Sequence, residues 1–212
     1  MEIKYSYAKD IDGHIVHIKN ALPRDLYYCP QCGNEMIPKM GDIKVHHFSH
    51  KVECSCNGES YLHRIAKIKF KEIYDKSHQF ILEYRKPIKC PHNRDKQSCI
   101  FANNDCNSYS AIACSMDLKS IFDECLIEEP VNNGQFCADI LLRDSSGKSS
   151  KILLIEFYHT HKCESDKIES GYPIVEIRID HEDDLITSNR IHFSDKISLY
   201  GFKEEQSKGK EL

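Results

Sequence analysis

Tryptophan is absent from these 212 residues, and glycine (9), proline (7) and methionine (4) are all sparse. So little glycine and proline excludes a collagen-like or linker-dominated chain, and 40% apolar beside 29% charged residues excludes a disordered one. No run approaches the roughly 20 apolar residues that span a bilayer. The opening MEIKYSYAKD also lacks the apolar core of a secretion signal, so no membrane partner is expected and the expected compartment is the cytoplasm. The length suits one compact domain with a small appendage, or two small domains.

Cysteine, by contrast, is abundant. An odd count of 11, with a Cys-x-x-Cys followed by histidines, favours thiolates holding metal over disulfides. Cys29-Pro-Gln-Cys32-Gly33 bends the chain so that both sulfurs can meet one tetrahedral ion, and His47-Phe-Ser-His50 follows after fourteen residues. The spacing predicts zinc on Cys29, Cys32, His47 and His50, with His46 a substitute for His47. The alternative is a pair of buried thiols beside surface histidines.

A β-hairpin over Met1–Ala8 and His14–Asn20, turning at Asp12-Gly13, precedes this motif, and a second small hairpin over Met36–Val45 turns near Gly41-Asp42. Together they predict a zinc-ribbon-like module over residues 1–57. A helix is expected over Ser60–Ser77, opened by Glu59, with Leu62, Ile65, Ala66, Phe70, Ile73 and Tyr74 at helical spacing. Glu59, His63 and Lys67 fall four apart on another face, which is either a solvated charge array or a polar face turned toward an active site.

Charge divides the chain unevenly. Residues 1–110 hold 17 Lys and Arg against 13 Asp and Glu, while residues 111–212 hold 12 against 20. Arg64–Lys96 alone contains ten basic and four acidic residues, the excess expected of a phosphate-facing surface or of a solvated helix. After a strand at Phe80–Tyr84, a Cys-rich insertion over about 88–115 reads as irregular. Cys90, Cys99 and Cys106 could order it through a second zinc, with His92, Cys54 or Cys56 completing the set, or could remain free thiols.

Strands follow at Cys125–Val131, Phe136–Leu142 and Ile152–Tyr158, then a short helix at Ser165–Ser170 and a strand at Ile174–Ile179. The tail, residues 201–212, is polar. Asp139 and Glu156 each interrupt an otherwise apolar strand. A buried carboxylate is costly unless it binds a cation or is fully hydrogen-bonded, and strands joined by a short turn can set two side by side. Such a pair suits Mg²⁺ or Mn²⁺, although a solvent-facing strand side would also accommodate these acids.

This order resembles the PD-(D/E)xK nuclease core, and more specifically the competence protein CoiA-like family. The likeness rests on Tyr28-Cys-Pro-Gln-Cys-Gly33, His47-Phe-Ser-His50, Glu59-Ser60 with His63 and Lys67, Ala138-Asp139, Ile155-Glu156 and the Thr160-His161 that follows; it covers residues 1–70 and 117–180. It implies an α/β (α+β) fold, with the zinc module followed over 58–200 by a mixed four-stranded sheet flanked by helices. It further implies Asp139, Glu156 and the Phe157 carbonyl as ligands of a catalytic Mg²⁺ or Mn²⁺, Glu59 as an auxiliary acid, and DNA as partner and substrate. The family pattern wants Lys or Gln two residues after Glu156, where this chain has Tyr158. The missing charge would then come from Lys167, Lys162 or His161; otherwise the protein is an inactive zinc-containing nucleic-acid-binding adaptor. A purely structural zinc protein acting in protein contacts would leave the Asp139 and Glu156 pairing unexplained.

Overall fold

The computed structural model describes residues 5–89, 109–146 and 151–202. Among the described residues, three sheets and two α-helices make a mixed α+β fold. Among the described residues, no helix is long and apolar enough to cross a membrane.

The first sheet is antiparallel throughout, in the order β2-β1-β3-β4-β5: β1 Tyr7–Lys9, β2 Ile15–His17, β3 Tyr27–Tyr28, β4 Glu35–Lys39 and β5 His47–His50. The expected hairpin turn forms at Asp10–Gly13, where the Asp10 carboxylate accepts the amides of Asp12 and His14, and Gly13 takes φ +85°. The second hairpin also forms, but its return strand lies at His47–His50, beyond the expected Val45.

Helix α1, Gly58–Lys76, starts two residues ahead of the expected Ser60 because Asn57 caps it, its side chain accepting the Ser60 amide at 2.7 Å. The buried stripe is Tyr61, Leu62, Ile65, Ala66, Phe70 and Tyr74, with Ile73 only half-buried. Strand β6, Ile81–Lys89, runs past the expected Tyr84 and pairs antiparallel with β7, Tyr109–Asp117. Thus the ends of the Cys-rich insertion, expected to be irregular, form a ladder. Cys90, Cys99 and Cys106 lie outside the described residues, as do residues 1–4 and most of the tail.

The central sheet is built by β8 Glu124–Val131, β9 Phe136–Arg143, β10 Ile152–Tyr158, α2 Ser165–Glu169 and β11 Ile174–Arg178. The first three strands form an antiparallel meander, and α2 carries the chain across so that β11 lies parallel to β10. Strand β12, Arg190–Ile191, joins β6, giving a three-stranded sheet in the order β12-β6-β7; β13, Ile197–Tyr200, adds antiparallel to β11. The central sheet therefore has five strands, in the order β13-β11-β10-β9-β8, where four were expected.

One continuous apolar core joins the modules. Ala8, Tyr27, Met36 and Phe48 of the first sheet cluster with the α1 stripe and with Ile140, Leu142, Ile155 and Val175 of the central sheet. The seam is polar at one point: the buried Tyr61 hydroxyl accepts the Tyr7 amide at 2.9 Å and lies 2.8 Å from Glu182 Oε1, which also accepts the Ser6 amide. Burial pushes the Glu182 carboxyl upward, and the Ser6 and Tyr61 donors offset this only in part.

Candidate functional site

Two clusters of chemistry flank the start of α1. In the first, the ligand atoms of Cys29, Cys32, His50 and Cys56 all lie within 4.8 Å of one another. The sulfurs of Cys29 and Cys56 are 3.8 Å apart, and Cys32 Sγ lies 3.3 Å from His50 Nε2. Thiolates sharing one tetrahedral zinc at Zn–S distances of ~2.3 Å stand ~3.8 Å apart, so the spacing fits that ion. The tight turn after Cys29 is closed by the Gly33 amide, 2.9 Å from the Cys29 carbonyl, with Gly33 at φ +73°.

His47, expected as a ligand, is not part of this cluster. Residues three apart in a strand face opposite ways. On β5, His50 shares its face with the buried Phe48, while His47 turns away and its Nδ1 meets the Val45 carbonyl at 2.8 Å. Cys56 takes the fourth place. Its thiol is pushed up to about 12 by burial and by Cys29, and Cys29 is also raised by burial. The Cys32 thiol resists burial and is drawn down by the Asn34 amide and its thiol neighbours, Cys54 among them. These thiols ionise as a group, each thiolate suppressing the next, and a cation relieves the repulsion. Burial lowers His50, leaving a neutral imidazole suited to ligation.

The second cluster lines a cleft of about 510 Å³. Glu59 and His63 come from α1, Asp139 from β9, Glu156, Phe157 and Tyr158 from β10, His161 and Lys162 from the following segment, Lys167 from α2 and Glu176 from β11. Pairing of β9 with β10 runs from Arg143↔Ile152 to Ile140↔Ile155 and stops one step short of Asp139 and Glu156. Continued by one step, that register sets the two acids opposite each other on one face. On the other side of Asp139, Glu128 interrupts the β8 ladder with φ 55°, a left-handed conformation costly for a side chain of this kind.

Asp139 is richly partnered. Its Oδ2 accepts the Phe157 amide at 2.9 Å and lies 2.8 Å from His63 Nε2, while Oδ1 lies 3.4 Å from Lys67 Nζ. Burial, the largest influence, works to raise this carboxyl, but the His63 hydrogen bond and charge, with the Phe157 amide and Lys67, hold it below its usual range. His63 Nε2 is also 2.7 Å from the Phe157 carbonyl, so its N–H is shared between two oxygens. Burial opposes charge on His63, yet the hydrogen bond and charge of Asp139 carry it upward.

Glu156 is the opposite case. Burial, together with the Asp139 charge, pushes it up to about 7 despite Lys167. Lys167 Nζ is ion-paired with Oε1 at 2.8 Å, and the ammonium donates its hydrogen bond to the Cys137 carbonyl at 2.7 Å. Oε1 is thus a buried oxygen with an ion-pair partner and no hydrogen bond.

Of the three groups that could replace the charge expected at Tyr158, Lys167 alone contacts either acid. Lys162 lies 5.9 Å from the Tyr158 ring, and His161 is exposed on the cleft wall. Glu59 accepts the Thr160 hydroxyl at 2.8 Å. Four basic residues of α1 are ion-paired: Arg64 and Lys67 with Glu128, Lys69 with Glu72 and Lys71 with Asp75. Sequence reasoning gave no role to Glu176 or Glu128 and did not place Cys56 in this zinc set. Glu176 carried the same signal as Asp139, an acid inside an apolar strand.

The zinc-type cluster and the opening residues of α1 lie in one stretch of sequence. Residues 15–59 match the family model for the competence protein CoiA N-terminal domain. The match covers about a fifth of the chain, takes in all four clustered ligands and ends at Glu59. It supports a CoiA-like family. No curated protein and no solved structure matches the chain.

Proposed function

We propose that this CoiA-like chain is a divalent-metal-dependent nuclease that hydrolyses phosphodiester bonds in DNA, with a structural zinc on Cys29, Cys32, His50 and Cys56. The observation that carries the reading is the pairing of Asp139 and Glu156 on one cleft wall, with a buried Glu156 oxygen that no hydrogen bond satisfies and an ammonium 2.8 Å away. A buried, underbonded carboxylate oxygen is what a hard cation site needs, so Asp139, Glu156 and the Phe157 carbonyl fit Mg²⁺ or Mn²⁺. Such an ion would supply charge screening at the phosphate and a water of lowered pKa. The order of α1, the β8–β10 meander, α2 and parallel β11 agrees with the PD-(D/E)xK core implied by the sequence.

The chain's own groups have separable tasks. Lys167, anchored on the Cys137 carbonyl, stands 2.8 Å from Glu156 and takes the place of the lysine missing at Tyr158. His63 orients both the Asp139 carboxylate and the Phe157 carbonyl from the α1 side. Glu59 ties α1 to the segment bearing His161 through Thr160.

The test is incubation of the full chain with single- and double-stranded DNA in Mg²⁺ or Mn²⁺, beside D139N, E156Q and K167M. Metal-dependent cleavage that falls by about 10²-fold or more in each variant supports the proposal. Equal cleavage by all four proteins means contamination. One observation favours the adaptor reading: the protein's own His63, Lys67 and Lys167 already answer the two acids. DNA binding with no cleavage under any ion would establish that alternative.

A further inference from the structure

Glu176 is fully buried on β11 between Val175 and Ile177, both apolar and buried. It lies in register with Glu156 across the parallel pair, so two carboxylates stand side by side on one face. Burial of a carboxylate costs several kcal/mol unless its oxygens are met by donors, and a leucine there would avoid that cost. Among the described residues each oxygen has one donor. The Cys163 amide reaches Oε1 at 2.6 Å, and the Tyr200 hydroxyl reaches Oε2 at 3.1 Å.

The first of these contacts has a consequence for the cleft. Cys163 ends the segment that leaves β10 at Tyr158 and enters α2 at Ser165. That segment is pinned at three points: His159 Nδ1 on the Ile179 carbonyl at 3.0 Å, Thr160 on Glu59 of α1, and the Cys163 amide on Glu176. Between the pins lie His161 and Lys162, both exposed, both on the cleft wall, and neither in an ion pair with a described residue. Arg64, Lys67, Lys69 and Lys71 of α1 are paired with the chain's own acids and Lys167 with Glu156, so of the two lysines lining the cleft Lys162 is the one left for an outside anion.

We infer that Glu176 is a positioning residue: through the Cys163 amide it holds the 159–163 strap so that Lys162 meets a backbone phosphate of the nucleic acid at the cleft mouth. This deepens the nuclease reading and rests on it for the choice of ligand. The inference does not require turnover, since phosphate contact and strap order are both measurable without cleavage.

The experiment is binding of a fluorescein-labelled DNA duplex to the full chain across a salt series, with no divalent ion added. The proteins are wild type, K162Q, E176L, E176Q and the double variant E176L/K162Q. Hydrogen exchange over the strap is followed in each protein. K162Q should weaken binding by roughly threefold to tenfold and flatten the salt slope by about one. E176L should do the same, with faster exchange at 159–164, and adding K162Q to it should change little more. E176Q keeps an acceptor for Cys163 and a donor for the Tyr200 oxygen, and should stay within about twofold of wild type.

Additive losses in the double variant would overturn the inference, because Glu176 would then not act through Lys162. Loss in E176Q as large as in K162Q would overturn it too, since charge and not position would be the requirement. If E176L does not fold, the E176Q result and its strap exchange decide the matter alone. Cleavage is scored separately: a wild type that binds in this pattern but does not cut refutes the nuclease reading and leaves the strap assignment standing.

Discussion

Protein stripped of Mg²⁺ and Mn²⁺ should lose stability as pH rises from 5 to 8.5, and E156Q should abolish most of that loss. The Glu156 carboxyl is pushed up to about 7 from an ordinary value of 4.5, chiefly by burial. A group raised on folding contributes stability that is full below its unfolded value and is lost as pH climbs through the folded one. The difference of about 2.5 units corresponds to about 3 kcal/mol, which for a chain of this length is roughly 6–12 °C in Tm. Gln cannot ionise, so E156Q should lack the Glu156 part of this pH dependence. His63, also raised, loses its contribution in the same direction and window, but it is common to both proteins and largely cancels in the comparison. Asp139, lowered on folding, adds stability that is lost only as pH falls below 3.8, outside the window. The assay is thermal or urea unfolding of both proteins in buffer without chelator, so that zinc stays in place. Parallel curves for wild type and E156Q between pH 5 and 8.5 would refute the burial argument. Added Mg²⁺ or Mn²⁺ should restore the wild type at high pH; failure to do so would refute the cation site.

Metal analysis of purified protein should find about one zinc per chain, lost in C56S and C29S but kept in H47A; retention in C56S would refute the Cys56 assignment. Tyr61→Phe removes the hydroxyl that serves the Tyr7 amide and Glu182, and should cost about 2 kcal/mol by urea unfolding, against well under 0.5 kcal/mol expected of an exposed tyrosine. Gly201→Ala should be more damaging than its exposure suggests. At φ +71° a methyl group there would sit 2.2 Å from the Tyr172 carbonyl oxygen, so β13 must shift, with a loss of about 2 kcal/mol or more in the same assay.

Much of the core was legible because its signals are periodic. The α1 stripe repeats at helical spacing, β8 to β11 are short apolar runs bounded by turns, and Asp139 and Glu156 stand out by interrupting two of them. Three things were not legible, each for a physical reason. His-x-x-His reads as a ligand pair only if its backbone is helical or irregular; in the extended β5 it splits across two faces. The replacement, Cys56, has no fixed spacing to Cys32 because a whole hairpin intervenes. The inward turn of Arg64 and Lys67 depends on acids far along the chain, above all Glu128, whose left-handed backbone leaves no compositional trace.

The boundary drawn at residue 57 divides what the geometry joins. Cys56 belongs to the zinc-type cluster, Asn57 caps α1, Glu59 reaches Thr160 of the strap, and His63, one turn later, holds Asp139 and the Phe157 carbonyl. Six residues separate Cys56 of the zinc-type cluster from His63, the contact to the proposed catalytic carboxylate, and they form a single capped helix start whose register is fixed by its first hydrogen bonds. An ion that fixes Cys56 therefore also restrains where His63 and Glu59 stand, while the continuous apolar core prevents the first sheet from moving as an independent body. The N-terminal module is thus joined to the cleft through the start of α1, whose Glu59 and His63 line it. Loss of a zinc held by that cluster should therefore be felt at Asp139, whose His63 partner is presented by the same helix.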